Sequence, residues 1–189
     1  DFHGSASFEY VVSDGTGTGA GGLRTGTVTL NVQSVNDAPV TQGESETTAE
    51  DTDIVLTQAQ LLANDTDVDI ATDNQVLRIS AVSAATNGTV TMLANGDIRF
   101  RPNLDYHGPA EFTYTVSDGN GGTTDAKVNL SITAVNDAPV VVGEMVAATE
   151  DTSFYIEATG LLANDSDVDT ATDGQVLSIS AVSAIAGQT

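Results

Sequence analysis

A chain of 189 residues with 40% apolar content can bury a core, and its 27 acidic residues against 5 basic ones leave a net charge of -22. That balance argues against nucleic acid and anionic lipid as partners, because phosphate recognition needs clustered Lys and Arg and Lys127 is the single lysine. Without cysteine there are no disulfides and no thiolate metal sites, and no apolar run approaches a membrane span, so no membrane insertion is expected.

In chain order, residues 1–37 open with FEYVVSDG at Phe8 to Gly15, followed by a Gly-rich stretch, TGTGAGGLRTG, and by VNDAPV at Val35 to Val40. Residues 38–137 then carry EDT at Glu50 to Thr52 and a succession of strand signals. Short runs rich in Val, Ile, Thr, Phe and Tyr predict strands over Asp53–Leu56, Val76–Val82, Val90–Leu93, Ile98–Arg101, Glu111–Ser117 and Ala126–Val135. Asn95-Gly96 predicts a hairpin turn, and the segment from Asp118 to Gly122 predicts the turn before the last strand. Gln58 to Ala63 predicts a single helical turn. Residues 138–189 repeat what went before: VNDAPV returns at Val135 to Val140, EDT at Glu150 to Thr152, and LLANDTDVD from Leu61 returns as LLANDSDVD from Leu161.

The period is one hundred residues, too long for a solenoid unit and right for a domain. The chain therefore reads as a segment of something longer: the last part of one repeat (1–37), a whole repeat (38–137) and the first three strands of the next (138–189). About seven short strands in about 100 residues predict an all-β fold, a Greek-key β-sandwich of Ig-like type. Strand counting places the NDTDVD loop and Asp118 at the end where the chain enters the whole repeat, and Asn136 and Asp137 at the other.

NDTDVD sets three carboxylates on alternate residues, Asp65, Asp67 and Asp69, and NDSDVD does so again at Asp165, Asp167 and Asp169. Such groups repel unless a cation lies among them, and Ca²⁺ takes about 6 to 8 oxygens at roughly 2.3 to 2.6 Å. An EF-hand needs Gly at the sixth loop position and Glu at the twelfth, where this chain has Ile70 and Val76, or Thr170 and Val176. A calcium β-roll needs a nine-residue repeat that DGNGGTTDA lacks. The plain alternative is a solvated loop whose Asp and Asn side chains cap their own backbone. Acidic groups converging from four segments weigh against it.

The order Glu50, then D-x-D, then LDYH at Leu104 to His107, then VSDG at Val116 to Gly119, then VNDAPV is similar to that of cadherin repeats. More closely, it resembles the bacterial cadherin-like repeats strung along giant secreted surface adhesins of the RTX type. The resemblance implies calcium held between repeats. It implies ligands Asp1, Asn36, Asp37, Asp65, Asp67 and Asp118 at the first junction, and Glu50, Asp105, Asn136, Asp137, Asp165 and Asp167 at the second. Asp51, Asp69, Asp151 and Asp169 are further candidates. Tyr106 and His107 stand where the cadherin LDRE pattern has Arg and Glu, and Ala138 replaces a linker Asn, so the number of ions is left open.

The function so implied is a calcium-rigidified spacer in cell adhesion or biofilm, extracellular on a bacterial surface and exported by type I secretion. Neighbouring repeats are then its partners. The alternative is a calcium-dependent polysaccharide-binding module, disfavoured because there is no Trp and the few aromatic residues lie mostly at strand positions. No enzyme is expected: His3 and His107 occupy equivalent positions in FHG and YHG, and Ser13 and Ser117 sit in turns without a nucleophile elbow or a nearby base. The two partial repeats are complementary, which suggests head-to-tail self-association between copies.

Overall fold

A computed structural model describes residues 2–15, 22–170 and 174–183. β1 (Gly4–Ser13) and β2 (Leu23–Val32) form an antiparallel hairpin of their own. The next seven strands make the sandwich: β3 (Glu44–Ala49), β4 (Ile54–Leu56), β5 (Arg78–Thr86), β6 (Gly88–Met92), β7 (Ile98–Pro102), β8 (Gly108–Ser117) and β9 (Thr123–Thr133). One sheet runs β3-β9-β8-β5 and the other β4-β7-β6. All pairs are antiparallel except β3 with β9, which run parallel from Glu44 opposite Val128 to Ala49 opposite Thr133.

The period-2 alternation of a strand puts one set of side chains inside. Ala110, Phe112, Tyr114 and Val116 on β8 and Ala126, Val128, Leu130 and Ile132 on β9 are buried, and they meet Ile98 and Phe100 of β7 across the sandwich. Thr57 caps the short helix α1 (Gln58–Leu61) in a box with Gln60, and Leu61 drops into the core. Gln58 ties the two sheets: its Oε1 accepts the N–H of Ile79, and its own N–H donates to Asp97 at the β6–β7 turn. Gly96 in that turn has φ +88°, and an added Cβ there would overlap the Gln58 amide.

The six strands predicted are found, most of them with shifted ends. Two elements are not predicted by the sequence pattern: β3, and the helical turn α2 (Ile70–Asp73). The last segment departs further. Residues 138–170 and 174–183 were expected to repeat the first three strands, but among these residues no strand forms. They hold the helical turn α3 (Ala158–Leu161), a 3-10 turn at Val168–Thr170 and a single bridge between Val140 and Ser166. In the whole repeat β3 leans on β9 and β5 on β8. No such strand lies beside residues 144–149 or 178–183, and a strand without a partner leaves its N–H and C=O groups unpaired.

The core is compact enough that single truncations are felt. Phe100 is fully buried and stacks on Phe112 with ring centroids 5.9 Å apart. Phe100→Ala is expected to cost about 3 to 5 kcal/mol, read from the midpoint of urea unfolding. Val55→Ala, on a half-exposed position of the neighbouring strand β4, should change it by about 0.5 kcal/mol or less.

Candidate metal centre

Each end of the sandwich gathers acidic groups around a linker. At the entry end, Val40 and Thr66 exchange backbone hydrogen bonds of 2.7 and 2.9 Å, laying the linker along the NDTDVD loop. This bridge splits the three alternate carboxylates. Asp69 is 3% exposed and its Oδ2 accepts the Asp37 N–H at 2.8 Å. Asp67 Oδ1 accepts the Asp69 N–H at 2.8 Å, while its Oδ2 is buried with no partner. Asp65 instead turns toward the sandwich, where its Oδ1 accepts the Gln42 N–H.

Asp118 reaches the same end from the β8–β9 turn. Its Oδ2 accepts from the Asn36 side-chain amide at 2.8 Å, and Gln75 donates to the Asn36 Oδ1 at 2.6 Å. Burial pushes the Asp118 carboxyl up, but hydrogen bonds from Asn36, Asn120, Gly122 and Gly121 outweigh it and hold the group below the usual range. Asn36, Asp37, Asp67, Asp69, Gln75 and Asp118 are thus brought together. Asp1 lies outside the described residues.

Asp65 belongs to a different cluster. The Tyr114 hydroxyl lies 2.8 Å from Glu44 Oε2, 3.1 Å from the Leu61 carbonyl and 3.2 Å from the Gln42 carbonyl. Glu44 Oε1 and Asp65 Oδ2 are buried without partners. Burial raises the pKa of both carboxyls, and for Glu44 the Asp65 charge adds to it.

At the exit end, oxygens of Asp51, Asp105 and Asp137 all lie within 4.8 Å of one another. Glu50 stands beside them, 3% exposed, its Oε1 accepting the Val135 N–H and its Oε2 3.7 Å from His107 Nδ1. Asp51 and Asp105 have φ of 56° and 53°, a left-handed backbone that costs a non-glycine residue energy. Asp51 Oδ1 accepts the Asp105 N–H, which fastens one turn to the other. The next repeat approaches by the same bonds as at the entry end: Val140 bridges Ser166, Asp169 Oδ2 accepts the Asp137 N–H at 2.8 Å, and Asp167 Oδ1 accepts the Asp169 N–H at 2.8 Å. Gln175 donates to Asn136 as Gln75 does to Asn36.

The crowding has an electrostatic signature. Desolvation and then the charges of Asp51, Glu50 and Asp169 raise the Asp105 carboxyl, and desolvation followed by Asp105, Asp169, Asp51 and Glu50 raises Asp137. Asp165 accepts the Val142 N–H, as Asp65 does that of Gln42, and Asp151 sits in an exposed turn that copies the Asp51 conformation. Gln75 and Gln175 were not predicted; their recurrence one hundred residues apart was the available signal. The donors at both ends are oxygens, with a buried orphan oxygen on Asp67 at the entry end and three carboxylates in mutual reach at the exit end, and such donors suit a hard cation of the calcium type.

The family described as the cadherin-like domain matches residues 35–133 and again 135–189. No curated protein matches the chain. Among solved structures the chain is similar to human mucin-like protocadherin EC1-2, at 20% identity over 59% of this chain and 61% of that one, with a TM-score of 0.39. It is also similar to an endo-fucoidan hydrolase of glycoside hydrolase family 107 (20% identity, 74% of this chain and 21% of that one, TM-score 0.37) and to the human desmocollin-1 ectodomain (16% identity, 73% and 29%, TM-score 0.31). The chain thus spans only part of each of these proteins. The two family matches together cover most of its length, and the chain belongs to the cadherin-like domain family.

Proposed function

We propose that this chain is a calcium-rigidified spacer, an extender segment of a large bacterial surface adhesin of the RTX type that acts outside the cell. The observation that carries the reading is the pinned linker: at both junctions an aspartate N–H is held by a carboxylate of the next repeat, and at the second its own carboxylate lies against Asp51 and Asp105 of the repeat before. Residues that would hold the ion at the second junction are Glu50, Asp51, Asp105, Asn136, Asp137, Asp167 and Asp169. At the first they are Asn36, Asp37, Asp67, Asp69 and Asp118. Asp65 and Asp165 serve this reading as anchors of the linker through Gln42 and Val142.

Bound calcium supplies the positive charge that this set lacks. The protein's own part is orientation. The left-handed turns at Asp51 and Asp105 aim two carboxylates at the linker, and the Asp169 bond sets the angle at which Asp137 joins them. A joint so charged is pushed apart when empty and pulled together when filled, which is the behaviour of a spacer that stiffens outside the cell. Among the described residues no helix is long and apolar enough to cross a membrane.

Calcium should raise the melting temperature, and chelation should reverse it; binding at a free concentration 100 times Kd is worth about 2.7 kcal/mol. Asp105→Ala with Asp137→Ala should abolish most of the heat of calcium binding at the second junction and shorten the maximum dimension seen by X-ray scattering in calcium. No heat at millimolar calcium, together with an unchanged dimension, would overturn the reading.

The pH dependence has a definite sign. Glu44, Asp65, Asp105 and Asp137 have raised folded pKa values, so the folded chain binds protons more tightly than the unfolded one. Stability of the chelated chain should therefore rise as pH falls from neutral into the ordinary carboxylate range, then fall in stronger acid as Asp118, whose pKa is lowered, is protonated. In calcium the slope above the carboxylate range should reverse, because protons then compete with the ion. Urea unfolding at three pH values with and without chelator reads both slopes.

A further inference from the structure

On the inner face of the NDTDVD loop three segments of the whole repeat converge on one point. Gln42 and Glu44 come from the start of β3, which is pressed so close to β9 that an added Cβ at Gly43 would lie 2.7 Å from the Lys127 carbonyl. Leu61 and Asp65 come from the turn that closes α1, where the Asp65 N–H donates to the Leu62 carbonyl at 3.3 Å. Tyr114 comes from β8 and is fully buried.

Oxygen acceptors outnumber protons there. The Tyr114 hydroxyl has one proton to give and three acceptors within 3.2 Å: the Gln42 carbonyl, the Leu61 carbonyl and Glu44 Oε2. The Gln42 N–H is taken by Asp65 Oδ1. Glu44 Oε1 and Asp65 Oδ2 are left buried without a partner, and Asp65 as a whole is only 9% exposed. After burial and Glu44, the Asp65 charge also raises the tyrosine pKa, so both carboxylates bear on the same hydroxyl. The basic side chains of the sandwich are engaged elsewhere or exposed: Arg99 and Arg101 pair with Asp53, Lys127 pairs with Glu111, and Arg78 lies on an exposed position of β5.

Three occupants could answer two orphan oxygens and two negative charges. A bridging water gives each oxygen a hydrogen bond but leaves both charges uncompensated. A shared proton cancels one charge and leaves the other buried. A divalent cation matches both charges and both oxygens, and the surrounding donors are carboxylates and carbonyls, the kind that hard cations take. We propose that Glu44 Oε1 and Asp65 Oδ2 hold a hard divalent cation of the calcium type inside the repeat, with the Gln42 and Leu61 carbonyls as neighbouring donors. This gives the division of the NDTDVD carboxylates a use: Asp67 and Asp69 serve the linker, and Asp65 serves an ion within the sandwich. The ion fastens the start of β3 to α1 and to β8, so it stabilises a repeat whether or not a neighbour is joined to it. It shares no ligand with the junction sets and does not rest on the calcium reading of the junctions.

Counting bound calcium by equilibrium dialysis separates the two. Glu44→Gln keeps an acceptor for the Tyr114 hydroxyl and removes the charge, and it should take up one calcium ion fewer per chain than the unaltered protein. Asp118→Asn acts on the first junction and should also lose one. The double variant should lose both, because effects at independent sites add. An unchanged count in Glu44→Gln would overturn the proposal. So would a double variant that loses no more than Asp118→Asn alone, since Glu44 would then be acting on the junction ion. A loss in Glu44→Gln with none in Asp118→Asn would keep the inner site and overturn the junction reading at that end. In chelator the urea midpoint of Glu44→Gln should equal or exceed that of the unaltered chain, because one uncompensated buried charge is gone. Should that variant fail to fold, Asp65→Asn, which keeps an acceptor for the Gln42 N–H, reads the same loss, and an unchanged count there overturns the proposal equally.

Discussion

The bond between a linker N–H and a carboxylate of the following repeat is the constraint on which both junctions depend. Asp37 donates to Asp69 and Asp137 to Asp169, each at 2.8 Å. A linker has no sheet to satisfy its backbone, so its N–H groups need side-chain acceptors, and an ionised carboxylate makes the strongest of these. The same bond draws one more negative charge into an acidic cluster. It is stabilising only where something offsets the repulsion, which is why the local geometry and the cation proposed above are one problem rather than two.

A single strand connects the two ends. β8 begins three residues after Asp105 and ends one residue before Asp118, and its inward residues are among the most deeply buried in the chain. Groups for both junctions are therefore carried by one rigid element, and their separation is set by its length rather than by loops. On the reading proposed above, a chain of such repeats grows by a fixed increment for each.

The alternation of β7, β8 and β9 made the sandwich legible in the sequence, because Ile98, Phe100, Phe112, Tyr114, Val128 and Leu130 fall on one face at every second position. β3 was not legible. Its inward positions are Glu44, Glu46 and Thr48, polar groups on an edge strand that is held by pairing with β9 more than by burial. The opposite failure occurs in residues 138–170 and 174–183, whose sequence copies strands that do not form there, since a strand is a property of the pair. At the candidate site the acidic motif was legible but its division was not. Alternate residues suggested three carboxylates on one ion, whereas the Val40–Thr66 bridge sends Asp65 to one side and Asp67 with Asp69 to the other.

That division fastens the loop on both of its faces. On the outer face Asp69 holds the linker. On the inner face Asp65 holds Gln42, and the Tyr114 hydroxyl, with one proton and three acceptors around it, has its shortest contact with Glu44. Burial and the Glu44 hydrogen bond push the tyrosine pKa up, so the hydroxyl remains a donor and does not add a charge of its own. Two buried oxygens nearby still lack partners, which is costly in an interior of low polarity. Asp65, Gln42 and Tyr114 thus form one hydrogen-bonded set that joins the linker and its loop to the core of the sandwich.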